Sequence, residues 1–287
     1  MLFRDRPDGV RVRHDTHMSA MLPYVMRSRS SATVYFSRNV DVEAALSYIH
    51  RMNAEQPGAR YSLFGILLAS AVRVFALKPR LNRFVSRRGV YQRNELCFSF
   101  IVKQSLTEEA PERSAKVWFE PEDTLSTVIA KTNQAIDSIR SIDQTPDEKE
   151  MSFVGSIPGM RAFSTFIFRL LDSWNIAPRG MIKSDPLYAS AYFANLGSIG
   201  LETPYHHLYE WGTASLFVAM GTITRGGNGR RQVNIKISLD ERIADGIYFA
   251  HAAGLMARFM RKPEELEMPL DDMKRGGILD TEPAGAE

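Results

Sequence analysis

Arg225-Gly226-Gly227-Asn228-Gly229-Arg230-Arg231, the run Gln232 to Leu239, and Asp240-Glu241-Arg242-Ile243-Ala244-Asp245-Gly246 form one unbroken passage near the C-terminal end of the chain. The glycines supply the positive φ angles of a tight reversal, so Gln232–Leu239 reads as the return arm of a hairpin whose first arm is Ser215–Thr224. The acidic turn from Asp240 then opens a helix reaching about Met260, with Ile247, Ala250, Gly254, Leu255 and Met256 toward the core. A strand that feeds directly into a helix sets the class as α/β.

The rest of the chain agrees with that class. Met18–Arg29 reads as a short helix or turn and Thr33–Phe36 as a strand. Asp41 is placed to cap a helix over Val42–Asn53, and Ser62 a mostly apolar, buried helix that ends before Lys78-Pro79. Strands are expected at Phe84–Ser86, Gly89–Tyr91, Leu96–Val102, Lys116–Phe119 and Tyr192–Ala194, with a helix over Leu125–Arg140 capped by Thr124. Residues 145–150 are a polar break. Met151–Trp174 is apolar and, with Pro158 and Gly159 inside, predicts two short helices. From Asp271 the chain reads as a disordered polar tail.

With 287 residues, 44% of them hydrophobic and 24% charged, the composition is that of a soluble globular protein. No charge-free apolar run approaches the roughly 20 residues of a transmembrane helix, and no signal peptide is evident. Cys97 is the only cysteine, which fits a cytoplasmic setting and excludes an intrachain disulfide. A net charge of +3 gives no argument for nucleic acid. His14 and His17 form an H-x-x-H pair without a third ligand nearby, so no metal is expected.

Asp240 to Gly246 resembles the Asp-His-Arg-x-x-Asp-Gly signature of the acyltransferase component of 2-oxoacid dehydrogenase complexes and its relative chloramphenicol acetyltransferase. Further pieces follow in the family's order from about Val12 to Leu266: Met18–Ser30, Ala32–Val42, Lys78-Pro79-Arg80-Leu81-Asn82, Phe193-Ala194-Asn195-Leu196-Gly197-Ser198-Ile199-Gly200 and Glu264-Glu265-Leu266. The resemblance implies a mixed sheet flanked by helices, a homotrimer with interfacial sites, and in some members a larger cage. It also implies coenzyme A or acyl-CoA as substrate, and a lipoyl domain carried on another chain. The organisation expected is a lead over 1–17, an acyltransferase-like domain over 18–268 with an apolar insertion at 151–174, and a tail over 269–287.

By the same match Glu241 stands where the family keeps its catalytic histidine, and Ala194 where it keeps a serine hydroxyl for the oxyanion. A carboxyl titrating near about 4.3 accepts a thiol proton some 2 pK units less readily than imidazole, roughly 3 kcal/mol. A lost oxyanion donor adds about 3 kcal/mol, so a loss on the order of 10⁴-fold is expected for thiol acyl transfer. Asn195 and Asp245 remain of the motif, with Arg27 or Arg29 as the expected partner of Asp245. His206 and His207 are candidates to restore an imidazole base by pairing with Glu241 of a neighbour; packing is the plainer reading.

Two functions therefore stand. One is an impaired, pseudoenzyme-like acyltransferase relative kept for trimeric or cage-like assembly as a scaffold. The other is an active CoA-dependent acyltransferase using Glu241 as general base on an unknown acceptor. Phe163, Phe166, Ile167, Leu170, Leu171 and Trp174 recur at helical spacing, predicting contact with a neighbouring subunit or trimer; membrane-surface binding is the rival, with Arg161 and Arg169 as its cations.

Overall fold

The computed structural model describes residues 5–13, 16–103, 112–141 and 159–275. In chain order the elements are β1 (Gly9–Arg11), α1 (His17–Val25), β2 (Thr33–Asp41), α2 (Glu43–Glu55), α3 (Leu63–Leu77), β3 (Arg83–Ser86), β4 (Gly89–Arg93), β5 (Leu96–Lys103) and β6 (Glu112–Phe119). Then come α4 (Leu125–Ser141), α5 (Met160–Ser173), α6 (Arg179–Ser184), β7 (Ala191–Asn195), β8 (Leu216–Arg225), β9 (Arg231–Asp240), α7 (Gly246–Arg261) and α8 (Leu270–Arg275). The main sheet has six strands in the order β2-β9-β8-β7-β5-β6, and β1-β4-β3 form a small second sheet. Pairing is antiparallel except on either side of β7, which runs parallel to both β5 and β8. This is the mixed sheet flanked by helices that the sequence predicts.

One face of the sheet carries α2, α3, α4 and α7. Ser62 accepts the Gly65 N–H to start α3, and nearly every side chain of α3 is buried. Phe64 and Phe75 meet Phe100 and Phe98 of β5 edge-to-face, at 5.6 and 5.2 Å between centroids, so helix and sheet share one continuous core. Strand alternation sends Phe193 into this core and its neighbour Ala194 to the far face, where Tyr192, Leu208, Phe217 and Ala219 form a separate cluster.

Several expectations change. β2 runs on to Asp41 because Ser37 and Asn39, polar as they are, pair with Asn234 of β9 through side-chain hydrogen bonds of 3.0 and 2.7 Å. Val42, not Asp41, occupies the cap position of α2, although Asp41 still accepts the Glu43 N–H. In the hairpin turn only Gly229 has positive φ. On α7, Ile247 and Ala250 face solvent; Phe249, Ala252, Leu255, Met256 and Phe259 make the buried side. Residues 270–275 form α8 rather than a disordered tail, anchored by buried Leu270 and Met273. Within the apolar stretch one helix, α5, covers 160–173. The polar break at 145–150, the start of that stretch at 151–158, His14 and the tail beyond 275 lie outside the described residues.

Candidate functional site

The turn after β9 is held by an ion pair. Asp240 and Arg242 are both buried, and Arg242 Nε and Nη2 donate to the two Asp240 oxygens at 2.7 and 2.6 Å. Arg242 Nη1 also donates to Met26 O at 2.8 Å, which ties the turn to the end of α1. With Asp240 and Arg242 turned inward, Glu241 between them faces outward, while its N–H donates to Ala32 O at 3.0 Å. Asp245 closes the turn as the cap of α7, accepting the Tyr248 N–H at 2.9 Å. Its charged partner is Arg80, 3.8 Å away; the expected Arg27 or Arg29 is not used. Arg29 is instead buried against carbonyls of Tyr209 and Val85, at 3.1 and 3.3 Å.

Glu241 and Asp245 line a cavity of about 610 Å3 between the β9–α7 turn, α1 and the 80–83 turn. Its wall carries four guanidinium groups, Arg13, Arg80, Arg83 and Arg242, beside apolar Leu22, Val34, Phe36 and Phe249. Arg242 is neutralised by Asp240, so Arg13, Arg80 and Arg83 against Glu241 and Asp245 leave the cavity a modest positive surplus that favours anions. The sequence motif pointed to Glu241, Arg242 and Asp245 but not to Arg13, Arg80 and Arg83 as neighbours of them. The four arginines come from three separate places in the chain, and Arg80 arrives only because Pro79–Asn82 folds as a 3-10 turn whose Arg80 N–H donates to Tyr248 Oη at 3.0 Å.

Ala194 and the two histidines are not part of that cavity. Ala194 lies in the far-face cluster with Phe217, and His206 stacks flat on Phe217 at 3.9 Å between ring centroids. His207 stacks on His206 at 4.7 Å, and His206 Nδ1 lies 2.6 Å from His207 O. Burial pulls the His206 imidazole below its ordinary pKa, which favours the neutral ring. Ser238 donates to His206 O, fixing the loop to β9. Within the chain the histidines therefore lie at the Ala194 face, and both are separated from the Glu241 cavity. Asn195 serves the backbone, accepting the Ser198 N–H at 3.3 Å to start the turn Leu196–Ile199.

Tyr205, Tyr209 and Trp211 pack against other rings. Tyr205 meets Tyr35 edge-on, Tyr209 contacts Tyr192, and Trp211 stacks on Phe168. A second cavity of about 230 Å3 lies at the opposite end of the sheet, lined by Arg93, Cys97, Lys116, Trp118, Arg179 and Lys183 among others. Burial lowers Lys116 to about 8, although its ammonium donates to Ile182 O and Asp185 O at 2.8 and 3.0 Å. Among the described residues no group of three or more His, Cys, Asp or Glu could hold a metal, and no helix is long and apolar enough to cross a membrane.

Neither a family model nor a curated protein matches the chain by sequence. Solved structures do. A dihydrolipoamide acetyltransferase from Azotobacter vinelandii, a structure addressing the catalytic roles of a serine, a histidine and an asparagine, aligns over 90% of this chain and 95% of its own with TM-score 0.58 at 12% identity. A probable dihydrolipoamide acetyltransferase from Listeria monocytogenes aligns over 91% and 99% with TM-score 0.57 at 11% identity. Chloramphenicol acetyltransferase aligns over 87% and 95% with TM-score 0.55 at 12% identity. The fold is that of the chloramphenicol acetyltransferase-like acyltransferases. This acyltransferase-like fold covers almost the whole chain, so the Glu241 turn, the Ala194 strand and the loop with His206 and His207 all belong to one domain framework.

Proposed function

We propose that this acyltransferase-like protein is impaired in acyl transfer to thiols and is retained for assembly, as a homotrimer or a larger cage in the cytoplasm. The observation that carries the reading is the chemistry of the Glu241 cavity: a carboxylate stands at the signature position, and among the described residues no histidine lines the wall. At position 194 a methyl group sits in an aromatic cluster where the signature would put a hydroxyl. Neither a thiol base of suitable strength nor an oxyanion donor is supplied by those two positions. The buried Asp240–Arg242 pair and the Asp245 cap meanwhile keep the turn rigid, which suits a framework role.

The test is transfer of an acetyl group from acetyl-CoA to dihydrolipoamide by the full chain. Weak or undetectable transfer is expected. Glu241→His with Ala194→Ser should raise the rate by more than either change alone, because both act on one transition state. Robust native transfer that falls in Glu241→Gln would overturn the reading.

A second reading is favoured by the arginines. Arg13, Arg80 and Arg83 give the cavity the charge that phosphates of coenzyme A or acyl-CoA need, and a ligand so held would meet Glu241 as general base. A neighbour's His206, held toward the neutral form by burial, would be the alternative base, and a lipoyl domain on another chain the acceptor. Saturable coenzyme A binding that weakens in Arg83→Ala supports this reading; unchanged binding in that variant removes it.

A further inference from the structure

Residues 159–184, holding α5 and α6, contain four cations, Arg161, Arg169, Arg179 and Lys183, and a single carboxylate, Asp172. That carboxylate is turned inward, with Oδ1 2.6 Å from Arg6 Nη2. Phe168 faces inward as well, in a cluster with Ala177, Ile182 and Tyr188, against which Leu171 and Trp211 pack. This inner contact fixes the orientation of α5 and leaves its other apolar side outward. Phe163, Phe166 and Trp174 are 61%, 62% and 54% exposed, and Met181 on α6 adds a further 49%.

A contiguous apolar face of this kind marks a contact surface. Its flanks say what it contacts. Arg169 lies over the Trp211 ring at 5.5 Å, and the exposed Arg179 and Lys183 line the 230 Å3 cavity that buried Arg93 also lines. Arg93 Nε has no hydrogen-bond partner among the described residues. Lys183 is 3.7 Å from Glu95, both of them largely solvent-exposed, so that pair is screened and weak. The surface is thus apolar along its ridge and cationic along its border. Two copies laid face to face across a two-fold axis would oppose these cations to one another with no outward carboxylate within 159–184 to offset them.

We propose that 159–184 is a membrane-surface docking element for anionic lipid bilayers. Phe163, Phe166 and Trp174 enter the interfacial layer, and Arg169, Arg179 and Lys183 meet lipid phosphates. The α5 helix has 14 residues. At about 1.5 Å per residue it is too short to cross a hydrocarbon core of roughly 30 Å, so it lies in the surface plane. Trp174 then sits at the headgroup level, where tryptophan is favoured. The inference concerns where the protein is held and stands whether or not acyl transfer occurs.

The test uses the full chain with phosphatidylcholine vesicles, with and without phosphatidylglycerol. Sedimentation with the phosphatidylglycerol vesicles is expected, with a blue shift of tryptophan emission that disappears in Trp174→Phe, and release at high salt through screening. Replacing Arg169, Arg179 and Lys183 together by Ala should weaken binding by about a hundredfold, as three surface cations contribute at an anionic membrane. Phe163→Ser with Phe166→Ser should abolish it, with circular dichroism unchanged because both side chains are exposed. Three results would overturn the proposal. They are equal sedimentation with both vesicle types, complete displacement by millimolar inorganic phosphate, and a fall in lipid-free mass for the double Phe variant, which would make the face a contact between copies.

Discussion

Arg242 grips Asp240 through two parallel hydrogen bonds of 2.7 and 2.6 Å, two residues apart in sequence and both out of reach of solvent. Glu241 is displayed at the cavity because its two neighbours are locked inward. Arg242→Met leaves Asp240 as an unpaired buried charge and should cost about 3 to 5 kcal/mol in denaturant unfolding. Adding Asp240→Leu should recover most of that loss. A single-variant cost below about 1 kcal/mol would mean that buried Arg29, which also faces Asp240 electrostatically, or water compensates the carboxylate, and that the pair alone does not fix the turn.

Gly197 packs against a backbone. A Cβ built there would lie 2.3 Å from Gly221 O, whereas one at Gly227 meets nothing within 4 Å. Gly197→Ala should therefore destabilise by roughly 1 to 3 kcal/mol, since one of two main chains must move. Gly227→Ala should fall within about 0.5 kcal/mol of the parent. Thermal unfolding of the two variants side by side checks the contrast.

Lys116 gives a pH dependence. Its folded pKa, lowered to about 8 by burial, lies below its ordinary value of 10.5. Between those values the unfolded chain binds the extra proton, so stability rises with pH there; below pH 8 both states are protonated and the cost of the buried ammonium is constant. Measured against Lys116→Met, the parent should gain up to about 3 kcal/mol between pH 7 and pH 10. A difference that stays flat over that range would show that the ammonium is solvated in the folded state.

Assembly is read directly by mass. The 32.4 kDa chain should scatter light as a trimer or a multiple of it. A monodisperse monomer or dimer would remove the scaffold reading while leaving the fold untouched.

Much of this architecture is legible in residues that act locally. Ser62 caps α3, the glycine-rich reversal joins β8 to β9, and Asp245 opens α7, each through a hydrogen bond or turn within a few positions. What sequence hides depends on distant partners. The polar end of β2 pairs because Asn234 lies opposite, and Asp245 takes Arg80 because a 3-10 turn carries it there. The other arginines of the Glu241 cavity, from positions 13, 80 and 83, have no common spacing with Arg242 to betray them. The separation of Ala194 from Glu241 is likewise a matter of which sheet face a strand presents.

Arg6 gives the N-terminal residues a practical meaning. Its guanidinium bonds Asp8, Ser86 and Asp172 at 2.8, 2.9 and 2.6 Å and lies over the Phe84 ring, so one side chain fastens α5 to the small sheet. β1 follows three residues later, paired with β4. A recombinant fragment trimmed to Met18, where the acyltransferase-like domain is expected to begin, would discard this fastening together with a strand. Truncation there would release the very helix whose outward face is most in need of a fixed orientation, and an affinity tag is better placed at the other end of the chain.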